Sequence, residues 1–425
     1  MDYFVDSMKS KYQQLAKTLG PGILFASTCI GVSHLVQSTR AGANYGFLLI
    51  GVVLLANIFK YPFFEFASRY TNATGKSIID GYYQKSKWIL ALYLAITISS
   101  MFIVSAAVSF VTAGLLSNLF DFNLNTAHWA GILLAVCVLI LIVGKFKALD
   151  NMLKIIGVIL LISTLIAVVS SLINGRVVET EQFVAPNIFE GKGILFLIAL
   201  MGWMPTAVDM SAWTSLWTEA RIKQTNYHPK LKETLFDFNL GYLASAILAV
   251  CFLTLGAMIL YGSGTELPNS APAFANQLIT MFTSAIGDWS YYIILVAAFS
   301  AMFSTTITVI DGYCRATARS IKLFQQRTDD SRGIYIATAI VLAVGTFMII
   351  SQYLNNLKSL VDFATALSFI IAPLAGWLNY MMIYSEDIPA SHQPKPWLKV
   401  LAISGLIFLS GFTLVYFYVL LGGHF

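Results

Sequence analysis

Three side chains in two apolar stretches have the chemistry to hold a small ion: His34, Met204 and Asp209. An imidazole nitrogen, a thioether sulfur and a carboxylate form a mixed donor set, and the sulfur favours soft transition metals over Mg and Ca. His34 could instead titrate a proton. Both stretches are long enough to cross a bilayer, and both are interrupted near the middle. The first, Pro21 to Gly46, contains Gly31-Val32-Ser33-His34. The second, Ile194 to Trp217, contains Gly202-Trp203-Met204-Pro205-Thr206 and then Asp209. Unwound backbone at membrane depth is tolerated only where protein or a water-filled cavity satisfies it. Gly31, Ser33 and His34 from one break, with Met201, Met204, Thr206 and Asp209 from the other, are therefore the candidate lining of a central site. Carbonyls freed near Gly31 and Met201 are further ligands.

Each of these residues also has a plainer reading. His34 could simply bond unwound carbonyls, Asp209 could form a structural ion pair, and methionine often fills gaps between helices. Ser33, Gln37 and Arg40 share a helical face by their spacing. That face would line an outer vestibule, where a basic residue repels cations and favours anions, unless Arg40 only marks the interface. Ser304, Thr305, Thr306 and Thr308 could offer hydroxyls, although such residues usually bond the carbonyls of their own turn. Asp311 and Arg315, four apart, read as an ion pair. Lys60 and Glu65 read as groups that snorkel to the inner surface. Cys29, Cys137, Cys251 and Cys314 lie far apart in apolar segments, without metal-ligand spacing, and read as buried hydrophobes.

The elements that must position these groups are membrane spans. The chain has 425 residues, of which 57% are hydrophobic and 11% charged, with mean hydropathy +0.74. This excludes a soluble enzyme. A span needs about 20 apolar residues. Eleven are expected, near 21–41, 46–67, 88–116, 129–145, 152–174, 194–217, 239–263, 289–314, 333–353, 359–384 and 397–422. Residues 271–286 are apolar but short and read as an interfacial or re-entrant segment. Residues 1–20 are polar and basic, so they read as a cytoplasmic N-terminal segment and not a cleaved signal. With that end inside, 21 of the 26 Lys and Arg fall on the cytoplasmic side, and Arg40, Arg176, Lys192 and Lys358 fall outside. The positive-inside rule then places the C-terminus outside the cytoplasm, in a plasma membrane or bacterial inner membrane. The net charge of +5 is thus an orientation signal, and no nucleic-acid partner is expected. No cofactor or catalytic fingerprint is present.

The fold expected is all-α and polytopic, with helices 1 and 6 broken. Residues 21–422 form one membrane domain: a repeat at about 21–174, a second at about 194–384, and an extra helix at 397–422. Repeats of five spans each must be inverted relative to one another, and broken helices in matching positions mark the central site of a secondary transporter. This pattern resembles the leucine-transporter fold.

Several fragments narrow the match. Gly20-Pro21-Gly22 opens the first span and Ala41-Gly42-Ala43 closes it. Ala56-Asn57 lies in span 2, followed by Ala73-Thr74-Gly75-Lys76. Lys154-Ile155-Ile156-Gly157 opens span 5, Met204-Pro205 breaks span 6, and Ser304-Thr305-Thr306-Ile307-Thr308 lies in span 8. In this order and spacing, from about Gly20 to the end of span 10, they resemble the NRAMP family of proton-coupled divalent-metal transporters. The resemblance implies alternating access, a small-ion substrate and a site at the two breaks. The signature residues depart from it. Gly31 stands where the family has its metal-binding Asp, and His34 where it has the metal-binding Asn. Met204 and Pro205 remain, but Thr206 and Ser211 replace two histidines, and Trp88 to Phe120 lacks the family's acidic proton path. A divalent metal held by His34, Met204 and Asp209, a small anion or polar solute, and a non-transporting membrane sensor are the readings carried forward.

Overall fold

A backbone inside a bilayer must satisfy its own polar groups, which leaves helices as the solution for long apolar segments. The computed structural model describes residues 14, 17–120, 122, 124–144, 146–175, 183–326 and 331–423, over 146–158 as backbone only. Most of the 1–20 segment, Lys145, Arg176 and Arg327, and the side chains of Lys147 and Lys154, lie outside this description. Among the described residues there are fifteen α-helices and no strand.

The first broken segment is α1 (Pro21–Cys29), a break at Ile30–Val32, a π-helical turn over Ser33–Ser38, and α2 (Thr39–Tyr45). There follow α3 (Ile50–Thr74), the short α4 (Ile78–Lys85), α5 (Lys87–Leu119), α6 (Thr126–Val143) and α7 (Phe146–Asn174). The second broken segment is α8 (Gly191–Gly202), an unwound stretch over Trp203–Ala207, a 3-10 turn at Val208–Met210, and α9 (Ser211–Thr225). The rest are α10 (Leu231–Ile259), α11 (Ala271–Ile286), α12 (Tyr291–Gln325), α13 (Arg332–Gln352), α14 (Leu357–Ile383) and α15 (Pro396–Leu420). Eight of these segments are long and apolar enough to cross a membrane. The other three expected spans are the two broken segments and α7. The apolar 271–286 stretch forms α11, packed so closely on α5 that a side chain on Gly114 would meet the Ala271 carbonyl carbon at 2.6 Å.

Burial sorts the helices into layers. The apolar window of the segment containing α12 is 83% buried, against 17% for α15 and 22% for α13. α12 is thus central, and α13 and α15 are peripheral with Val344, Ile407 and Leu414 facing outward. At its N-terminal end, α1 is bound to α10. Asp237 accepts the backbone N–H groups of Gly20 at 3.1 Å and Gly22 at 2.6 Å, a carboxylate at a helix N-terminus. The two backbones touch: a Cβ on Gly22 would lie 1.9 Å from the Asp237 carbonyl oxygen, and one on Gly241 2.0 Å from that of Gly22. Phe25 stacks on Tyr242 alongside, with ring centroids 5.7 Å apart.

Candidate binding site at the two helix breaks

Two weak points in the sequence create the site. Gly31 and the Ser33–Ser38 turn interrupt the first segment, and Gly202 with Pro205 interrupts the second, since Pro has no N–H to continue a helix. The Met204–Pro205 peptide is cis. α14 holds the second break on both sides. Trp203 Nε1 donates to Ser368 Oγ at 2.7 Å, and Asn379 donates to Ser211 Oγ at 2.6 Å. Gly202 lies directly on α14, where a Cβ would come 2.0 Å from the Thr365 carbonyl oxygen.

All the candidate lining residues are buried. His34 bridges two helices: its Nε2 lies 2.9 Å from the Ser245 carbonyl on α10, and its Nδ1 lies 2.7 Å from Ser33 Oγ. Because a carbonyl oxygen only accepts, Nε2 carries a hydrogen in this geometry. Ser33 Oγ also lies 2.7 Å from the Cys29 carbonyl, one turn back. Met204 receives a long contact from Ser38 Oγ at 3.9 Å, and Thr206 Oγ1 lies 3.1 Å from the Met210 sulfur. Asp209 Oδ2 accepts from Ser100 of α5 at 3.4 Å, Ser100 accepts from Tyr313 of α12, and Asp209 Oδ1 is buried without a partner. His34, Met204 and Asp209 thus each bond to a different element. Among the described residues, no three His, Cys, Asp or Glu side chains cluster as a metal-holding group.

Gly31 has no room for a side chain. A Cβ there would lie 2.7 Å from Thr305 Cγ2 and 3.0 Å from its Oγ1. Thr305 turns its hydroxyl toward the end of α1, 2.8 Å from the Ser27 carbonyl and 3.2 Å from that of Ile30. Thr306 and Thr308 bond carbonyls of their own helix, as expected; Thr305 is the one that reaches across to the break. The Gly31 carbonyl is taken by the amides of His34 and Leu35.

The largest departure from the sequence reading is Lys60. It does not snorkel; it is fully buried, the eleventh residue of α3, about 15 Å along the helix at 1.5 Å per residue. Its Nζ donates to the carbonyls of Met201 at 2.5 Å, Gly202 at 2.8 Å and Thr206 at 3.3 Å. Met201 and Gly202 end α8, so Lys60 sits at the negative end of a helix dipole and shares the Met201 carbonyl with the amides of Trp203 and Met204. Glu65 does not snorkel either; it pairs with Arg69 one turn on, buried.

The vestibule pair is also engaged. Arg40 forms a two-pronged bond to Asp362 of α14, at 2.6 and 2.9 Å, and donates to Gln37, which in turn donates to Asp362 and Thr365. This cluster ties the first broken segment to α14 at that end and offsets the positive charge on which the repulsion of cations by Arg40 depends. Two cavities lie at the other end. One of about 620 Å³ is lined by Glu219, Lys223, Arg315 and Arg319 among others, and one of about 170 Å³ by Pro21, Trp217 and Thr308. Asp311, between them, pairs with Arg315 at 2.6 Å as the spacing predicts.

This chain is 35% identical over 413 residues to an uncharacterised protein of Pasteurella multocida, covering 96% of this chain and 93% of that one. It is 23% identical to a divalent metal cation transporter of Pseudomonas aeruginosa, with the same coverage. In structure it is similar to a manganese transporter of Eremococcus coleocola, with TM-score 0.74 and 11% identity over 95% of this chain and 86% of that one. That likeness carries the fold alone. The model of the Nramp family, described as natural resistance-associated macrophage protein-like, matches residues 22–419, and the chain belongs to that family.

Proposed function

We propose that this protein is a secondary transporter working by alternating access, with its substrate site between the two helix breaks, lined by Gly31, Ser33, His34, Met201, Met204, Thr206 and Asp209. The observation that carries this is the pair of breaks in contact through Ser38 and Met204, with Arg40–Asp362 read as the closure at one end and cavities lying at the other. Kinship supports a divalent transition metal as cargo, because relatives are named divalent metal cation transporters. In that reading Met204 gives the soft donor and Asp209, with its unpartnered Oδ1, gives the anionic one. His34 must release Ser245 or Ser33 to join them.

One observation favours a second cargo, a small anion or polar solute. The Met201 carbonyl, a proposed metal ligand, already holds the Lys60 ammonium. A divalent ion 4 Å from that charge meets a repulsion of about 8 kcal/mol at an effective dielectric of 20. A solute that brings no positive charge meets none. Flux into proteoliposomes across Mn, Cd and Mg salts and a panel of small carboxylates, beside calorimetric binding, tests both. Uptake of Mn or Cd supports the metal, and uptake of a carboxylate supports the anion. No flux with either panel refutes the transporter reading.

A further inference from the structure

We propose that Lys60 is a tethered cation: its ammonium occupies, within the unwound part of the second break, the position that a free cation would otherwise take. The inference rests on the two breaks being the transport centre and adds the charge which that centre carries from within.

The geometry is that of cation coordination. Three carbonyl oxygens, from Met201, Gly202 and Thr206, converge on one nitrogen at 2.5, 2.8 and 3.3 Å. All three can only accept, and an ammonium offers three donors and no acceptor. Two of these carbonyls end α8 and the third lies in the unwound stretch, and together they point at one nitrogen, as a bound alkali or divalent ion would require. The dipole of α8 adds its negative end at the same place. Lys60 reaches it from α3, a separate helix, and is wholly buried. A buried charge in a membrane is retained only where it is paired or functional, and here the partners are backbone carbonyls at the break. The tether fixes the group in place, so that it is unable to leave with the cargo.

The test is to remove the tether and offer the free ion. Lys60→Met keeps the length and apolar stem but loses the charge. Thermal unfolding of the purified protein in detergent is measured in N-methyl-D-glucamine chloride, then with NaCl, KCl or MnCl₂ added. The expected result is a saturable upward shift of the unfolding temperature in Lys60→Met with at least one of these cations, and no such shift in the wild type. A Lys60→Met protein that is recovered only when Na, K or Mn is present throughout purification also supports the proposal. A variant as stable as the wild type and indifferent to all three cations overturns it. So does a variant that cannot be recovered in any of them, because a free ion then fails to replace the ammonium. The readout does not require transport, so a lack of flux in proteoliposomes would refute the transporter reading while leaving this result to stand on its own.

Discussion

Gly31→Ala is the most informative single change at the first break. The added methyl would lie 2.7 Å from Thr305 Cγ2, where real side chains are not found. Thr305 has little freedom to retreat, because β-branched side chains are restricted at χ1 in helices and its hydroxyl is held by carbonyls of Ser27, Ile30 and Ala301. Overpacking of this kind costs about 1–3 kcal/mol. Thr305→Ala alone loses one hydroxyl bond, a net cost of about 1 kcal/mol. In the double variant the clash with Cγ2 and Oγ1 is gone, and the nearest remaining Thr305 atom is Cβ at 3.3 Å. The double variant should therefore be less destabilised than the sum of the singles, with a coupling of about 1–3 kcal/mol. Thermal unfolding of the four proteins in detergent, read by tryptophan fluorescence with recovery checked by size exclusion, completes the cycle. Additivity to within about 0.5 kcal/mol would refute the argument that Thr305 occupies the space a side chain at position 31 needs.

Asp362→Asn should loosen the closed side, because Arg40 is left buried with a weakened partner; in a background carrying Ser38→Cys, labelling by an impermeant maleimide should rise well above that of the Asp362 protein, and equal labelling would contradict the gate. Trp203→Phe removes the bond to Ser368 and should cost about 1 kcal/mol, seen as a lower unfolding temperature; an unchanged value would show that α14 does not hold the break through that bond. A cysteine appended after Phe425 should react with an impermeant reagent in intact cells, as the distribution of Lys and Arg requires; protection there would reverse the topology. Gly31→Asp should be recovered in good yield only with Thr305→Ala, which expression level and size-exclusion profile report directly.

Both broken segments could be located from sequence because glycine, proline and polar residues inside apolar runs are legible one by one. Lys60 was misread for a reason of geometry. Snorkelling requires a surface within reach of a four-carbon stem, and ten residues of helix precede it in α3, so its depth alone pointed inward. Nothing near it in sequence named its partners, because Met201, Gly202 and Thr206 contribute backbone, and any residue type can offer a carbonyl. Thr305 shows the same difficulty from the other side. Its hydroxyl bonds its own turn as sequence suggests, and only the placement of α1 against α12 adds the carbonyls of Ser27 and Ile30. His34 was legible as a polar group at the break. Ser245, the single serine of α10, holds it through a backbone carbonyl that any residue type could offer.

The attachment of α1 to α10 has a mechanical consequence. A helix of nine residues has little stability of its own, so α1 takes its position from Asp237, Gly241 and Tyr242. Any stroke that moves one mouth of the protein then belongs to α10 as much as to α1. Ser245 lies eight residues beyond Asp237 on that helix, about 12 Å along it. The lever that carries the door thus also grips the imidazole of His34 at the centre. A displacement of α10 at its Asp237 end would reach His34 as a stretched or rotated hydrogen bond, coupling the two places through a shared axle.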